Sequence, residues 1–308
     1  MKRVTILLVV LFGSFVTACG GERNDEGTSR QQSAVTPQAA TTSNPRVQAL
    51  QRADLGYVPL PDLKAKLLED LQAISAWRAK EQHDAPIPRL ITELYSLFNT
   101  LTVTARALDR DSTFATYILT EREKFSEAEQ LRSSDAGRIM NGMTGTYAMY
   151  ALLAKMKFYG QAEKQAEIQK IHDATVKTFK PEIPAVEAAA AISDACYSLT
   201  ELIMEEIDSE GHFVGAFEHI ERQYNQGVSV AKSEEDHFIN GMFRTFEISQ
   251  LWAMSLNAER KEDISKMNSG VSTESARAED VGTQMAIAVK YLYLISFMIA
   301  EDTIELTL

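Results

Sequence analysis

Five histidines and a scatter of carboxylates are the residues of this 308-residue chain whose chemistry could matter most. Glu234-x-x-His237 is the one carboxylate and imidazole pair spaced to share a helical face. A di-iron or di-manganese bundle needs two such pairs and two further glutamates, and no second Glu-x-x-His occurs. His212 and His219 stand seven residues apart near Glu205 and Glu206, a pair that lacks a third ligand. Glu234, His237, His212 and His219 are therefore the nearest approach to a metal set, and the expectation is no metal. The three acids Glu234, Glu235 and Asp236 read more simply as a helix start, where negative charge meets the positive end of the helix dipole.

Nucleophile and phosphate signals fail as well. There is no Gly-x-Ser-x-Gly, no His-Glu-x-x-His and no glycine-rich phosphate loop. Adjacent acids such as Glu205-Glu206 or Glu301-Asp302 point about 100° apart on a helix, which suits solvation better than paired catalysis. Cys196, in a helical Ala-Ile-Ser-Asp-Ala-Cys-Tyr-Ser-Leu context, reads as a small core side chain. No catalytic or cofactor-binding residue is expected.

The elements that would carry any site are helices. After Tyr57, apolar residues recur at spacings of three and four, with no β-branched run and no hairpin signal. The pattern predicts an all-α fold of about ten helices. One opens at Pro61-Asp62 and one after Pro86-Ile87-Pro88; six more cover Ser112–Leu131, Asp135–Phe158, Gln161–Phe179, Pro184–Ile207, Phe213–Ala231 and Ser233–Leu256. The last two are expected near Glu259–Met267 and Ser272–Ala300. Turns are expected at Gly160, Gly211 and Gly270, and Ser134 and Ser233 are placed as caps. The apolar 285–300 stretch carries Lys290 at its middle and is short for a membrane span, so it reads as a core helix. Met140, Met143, Met149, Met156, Met242 and Met254 read as core filling in preference to a methionine-rich partner groove.

An internal echo runs through this helical body. Met140-Asn141-Gly142-Met143 matches Ile239-Asn240-Gly241-Met242 at an offset of 99 residues, which also aligns Phe114 with Phe213, Phe125 with Tyr224 and Ser134 with Ser233. Two four-helix units, 62–158 and 161–257, followed by a helix pair at 258–308, are the expected organisation. Gly142 and Gly241 are expected to be helix-packing glycines, because glycine inside a helix costs about 1 kcal/mol and recurs where another helix comes close. Neither the period nor the signature residues fit tetratricopeptide, ankyrin or HEAT arrays.

Ahead of the body, Lys2 and Arg3 precede the apolar run Ile6 to Val16, and Val16-Thr17-Ala18 then meets Cys19. This join resembles the lipobox of bacterial lipoproteins and covers 19 of 308 residues. The resemblance implies cleavage after residue 18, acylation of Cys19 and a lipid-anchored mature protein. Gly20-Gly21 after the cysteine, in place of an aspartate, leans toward the outer membrane, facing the periplasm. Residues 19–56 are rich in Gly, Ser, Thr, Gln, Asn and Pro and read as a disordered tether with a reach of about 30–35 Å. The helical domain then occupies 57–308.

Charge narrows the partners. The chain has 43 acidic and 31 basic residues; removal of Lys2 and Arg3 with the signal leaves 29 basic and a net charge of −14. The tether's four acids and four arginines cancel, so the body holds the whole excess. Such a surface excludes nucleic acid and favours cationic partners. The expectation is a helical interaction module held at the membrane by its lipid, binding an envelope or secreted protein or peptide in assembly, secretion or immunity. The alternative is an enzyme or small-ligand-binding protein with its site between the helical units.

Overall fold

The computed structural model describes residues 60–308 except 82, 132–133 and 179–182. The signal, Cys19 and the tether lie outside the described residues. Ten α-helices and no strand are present among those described. They are α1 (Leu60–Lys80), α2 (Pro86–Leu108), α3 (Ala115–Leu131), α4 (Asp135–Lys157), α5 (Ala162–Thr178), α6 (Ala185–Ile207), α7 (Val214–Val230), α8 (Glu234–Leu256), α9 (Lys261–Ser275) and α10 (Val281–Thr307).

The helices form five hairpins, and the hairpins form a ring. The even-numbered helices pack side by side, α2 on α4, α4 on α6, α6 on α8 and α8 on α10, and α10 closes the circle on α2 through the most extensive helix contact in the molecule. The odd-numbered helices lie outside, each against the even-numbered helix of its own hairpin. Composition explains the division. The inner helices are dense in fully buried side chains, whereas α5 buries three residues and α7 only Ile220. An outer helix covers one flank of the ring and leaves the rest of its circumference to water, the pattern of an amphipathic surface helix.

The inner helices run parallel. At one end, a Cβ built on Gly282 at the start of α10 would sit 3.3 Å from Pro86 Cβ at the start of α2. At the other, the Thr307 hydroxyl donates to the Ala107 carbonyl. Their starting residues, Pro86, Asp135, Ala185, Glu234 and Val281, advance by 47–50 residues at each step. The 99-residue echo is therefore two steps of a five-fold hairpin period. The units 62–158 and 161–257 are two hairpins each, and 258–308 supplies the fifth.

Caps set several of these starts. Ser134 accepts from the Gly137 amide, Ser233 forms a reciprocal capping box with Asp236, and Asp280 accepts from the Thr283 amide. Gly160 and Gly211 adopt φ of +81° and +74° in the turns before α5 and α7, a region that costs a side chain strain. The last hairpin departs from the sequence expectation. Gly270 is not a turn: it lies inside α9, where its missing side chain makes room for the Tyr291 hydroxyl. The break falls instead at 276–280, where the Asp280 cap outcompetes glycine as a boundary signal, and α10 runs on to Thr307. This long apolar helix is buried between α2 and α8 as a core element. On its outer side α1 is clamped by a bidentate Arg78–Glu93 pair at 2.7 Å, with the guanidinium 4.8 Å above the Tyr293 ring.

The two glycines of the echo occupy matching places. A Cβ on Gly142 would lie 2.7 Å from Leu94 Cβ on α2, and one on Gly241 would lie 3.0 Å from the Ser193 backbone carbonyl carbon on α6. Leu94 and Ser193 are themselves 99 residues apart. The preceding asparagines match too: Asn141 donates to the Phe125 carbonyl at 3.0 Å and Asn240 to the Tyr224 carbonyl at 3.1 Å, each tying an outer helix to its inner partner.

Candidate functional site at the mouth of the ring

Where the inner helices end, their C-termini surround a cavity of about 700 Å³. Its walls come from the last turns of α2, α4, α6 and α8 and from the loops that follow the first three. The floor is apolar: Leu153, Ile203 and Trp252, all less than a tenth exposed, with Met156 and Met254 half-buried beside them. Aromatic side chains make the sides, Phe114, Phe213 and the 70% exposed Tyr159, with the Phe114 and Tyr159 rings edge to face at 5.4 Å. Asp109, Asp111, Asp208, Lys157 and His212 supply the polar rim.

Two of the rim loops share one construction. In the first, the Asp109 carboxylate accepts from the Phe114 amide at 3.0 Å; in the second, Asp208 accepts from the Phe213 amide at 2.9 Å. Each loop passes through a left-handed residue, Ser112 at φ +60° and Gly211 at φ +74°. The aspartate thus caps the incoming helix, holds the loop shut and leaves the phenylalanine on the cavity wall. The signal was present in sequence as Asp109-Arg110-Asp111-Ser112-Thr113-Phe114 beside Asp208-Ser209-Glu210-Gly211-His212-Phe213. The aspartates stand at the same 99-residue offset as the phenylalanines.

Electrostatics give the mouth a sign. Four parallel helices present their negative dipole ends to it, an arrangement that favours cations. Burial pushes the Asp109 carboxyl up from its ordinary value, against the pull of the Phe114 amide. The Thr113 hydroxyl and amide hold Asp111 below the usual carboxylate range. Three carboxylates face one lysine, so an anionic head group is disfavoured here and a cationic or neutral one is accommodated.

The histidines singled out from the sequence are not brought together. His212 lies at the mouth, exposed and 2.9 Å from Glu210. His219 sits on α7 against Gln223, and Glu234 and His237 belong to the first turn of α8, at the far end of the ring. No group of three residues able to hold a metal occurs among the described residues. His172 is buried with its Nδ1 3.0 Å from the Tyr147 hydroxyl, and burial lowers its pKa. Cys196 is fully buried and burial pushes its thiol up, which removes it as a nucleophile. Met140, Met143, Met149 and Met242 are core.

Comparison with known proteins adds no relative: no protein-family model, no curated protein and no solved structure matches this chain.

Proposed function

We propose that this protein is a lipid-anchored binding module of the bacterial cell envelope whose ring mouth seats an apolar, positively charged segment of a protein or peptide partner. The observation that carries the reading is the mouth itself, a 700 Å³ apolar and aromatic hollow with a carboxylate rim, built where helix dipoles add negative potential. A basic side chain flanked by aromatic or aliphatic neighbours satisfies both features. The net acidity of the body steers such a partner toward it, more strongly at low ionic strength. The expected anchor at Cys19 supports the location. Lys64, near the start of α1, pairs at 2.7 Å with Glu305, near the end of α10, so the chain enters the body on the mouth side.

A photo-crosslinking residue at Tyr159 on the mouth, compared with one at Glu235 at the opposite end, tests the reading in native envelopes. A discrete crosslinked protein at 159 and none at 235 is expected, with yield reduced by Asp111→Lys and by added salt. Equal labelling at both positions would overturn the site. The anchor is tested separately: Cys19→Ala should abolish palmitate labelling and release the protein from the membrane fraction.

A second reading follows from the cavity volume, which lies in the range of small-ligand sites. Native mass spectrometry of protein purified from the envelope distinguishes the two, since a small-molecule carrier retains a bound species of a few hundred daltons.

A further inference from the structure

The residues ahead of the body are not uniform in composition. Between Gly20 and Pro45 only Val35 is a Val, Leu, Ile, Met or aromatic residue, and Glu22, Asp25 and Glu26 outnumber Arg23 and Arg30. Residues 46–58 instead hold Val47, Leu50, Leu55, Tyr57 and Val58, with Arg46 and Arg52 against the single acid Asp54. The stretch next to the body is thus apolar and net positive, which is the composition the mouth accepts. It lies outside the described residues, but the structure fixes where it is delivered.

Leu63, in the first turn of α1, packs against the cluster that holds Leu67, Val103, Ala107 and Ile304, with Leu308 beside it. Leu108, the residue after Ala107, is 38% exposed and lines the mouth. The start of α1 therefore stands within about one helix diameter, 10–12 Å, of the cavity wall. An extended chain covers about 3.3–3.6 Å per residue, so the eight residues from Leu60 back to Arg52 reach about 26–29 Å. This span brings Arg52 to the rim loop that follows α2, the inner helix on which α1 packs, where Asp109 and Asp111 stand. We infer, building on the mouth as a seat for apolar, positively charged segments, that residues 46–58 of the chain itself occupy it when no partner is bound. Leu50 and Leu55 flank Arg52, so a segment whose guanidinium meets the rim carboxylates carries aliphatic side chains toward the apolar floor. A segment joined to the body by a few residues has an effective concentration of the order of millimolar at its own site. Occupied roughly nine-tenths of the time, the mouth binds a partner about ten-fold more weakly.

Purified mature protein carrying the photo-crosslinking residue at Tyr159 is irradiated without partner, digested and mapped by mass spectrometry. Crosslinks from 159 to residues 46–58 are expected, at a yield independent of protein concentration. The yield should fall roughly ten-fold in the Leu50→Asp/Arg52→Glu double variant, and should fall at high salt. Both substituted residues precede α1, and circular dichroism verifies that the helices are retained. In native envelopes the same double variant should raise the yield of the partner crosslink at 159 by roughly ten-fold. No crosslink to 46–58, a yield that grows with protein concentration, or one that the double variant leaves unchanged would overturn self-occupation. A partner captured at 159 without any self-crosslink removes self-occupation and leaves the proposed function standing. Self-crosslinking with no partner captured in either form leaves self-occupation standing and removes the partner.

Discussion

Two places 99 residues apart show the same packing carrying opposite chemistry. On α2 and α3, Phe98 and Phe125 stack with ring centroids 4.0 Å apart and 13° between planes; on α6 and α7, Tyr197 and Tyr224 stack at 3.9 Å and 13°. The first pair is purely apolar. In the second, Tyr197 donates to Glu201 at 3.1 Å and the Tyr224 hydroxyl is directed at Asp194. Burial pushes both carboxyls up to about 6, with Glu221 and Glu205 adding to the rise at Glu201 and Glu234 to that at Asp194. The positions that correspond to these acids in the first half are Tyr95 and Thr102, which do not ionise in that range. The ring constrains stacking distance and helix approach; polarity at its outer edge is free to diverge, and there the two halves have acquired different charge.

The sharpest way to break this comparison is at the paired glycines. Gly142→Val and Gly241→Val should each lower unfolding stability in urea by about 3 kcal/mol or more, because a branched side chain must displace a neighbouring inner helix. A large loss at one position only would show that the two helix crossings differ.

At the two stacked pairs, acid and base should then act on the second alone. The native state holds protons on Asp194 and Glu201 that the unfolded chain releases near pH 4. Stability from these groups is therefore greatest below about pH 4, falls as pH rises to about 6 and levels off above about 7. Asp194 accounts for about 2–3 kcal/mol of that fall and the more exposed Glu201 for less, after screening. Asp194→Asn should flatten the pH profile of the urea midpoint, and an unchanged profile would remove the proposed contrast.

Smaller and matched effects are expected at the two tethers from inner to outer helix. Asn141→Ala and Asn240→Ala should each cost about 1 kcal/mol, since each removes one hydrogen bond from an inner to an outer helix. Least of all, Ser134→Ala and Ser233→Ala should each cost about 1 kcal/mol or less, because each removes a hydroxyl that accepts from one first-turn amide.

The helical body was largely legible before any coordinates. Apolar spacing placed α4, α6 and α8 to within a residue or so of their observed ends, and Ser134 and Ser233 marked the starts of α4 and α8, because helix periodicity and capping are local properties of the chain. The Asn-Gly echo was legible for the same reason. Gly270 misled because glycine signals equally a turn and a close approach, and only the position of Tyr291 distinguishes them.

What the amino-acid order determined alone is the helix inventory, the acidic body and the absence of a recognisable catalytic motif. Tertiary structure decided that ten helices close into one ring, that the 99-residue echo is two hairpin steps, and that Asp109, Asp208, Phe114, Phe213, Tyr159 and Trp252 meet at a mouth. It also decided that α1 begins on the mouth side. The physical reason is range. Capping and amphipathic spacing act within a few residues, whereas closure joins α10 to α2 across about two hundred, through apolar contacts that are non-directional and leave no pairwise mark in the sequence.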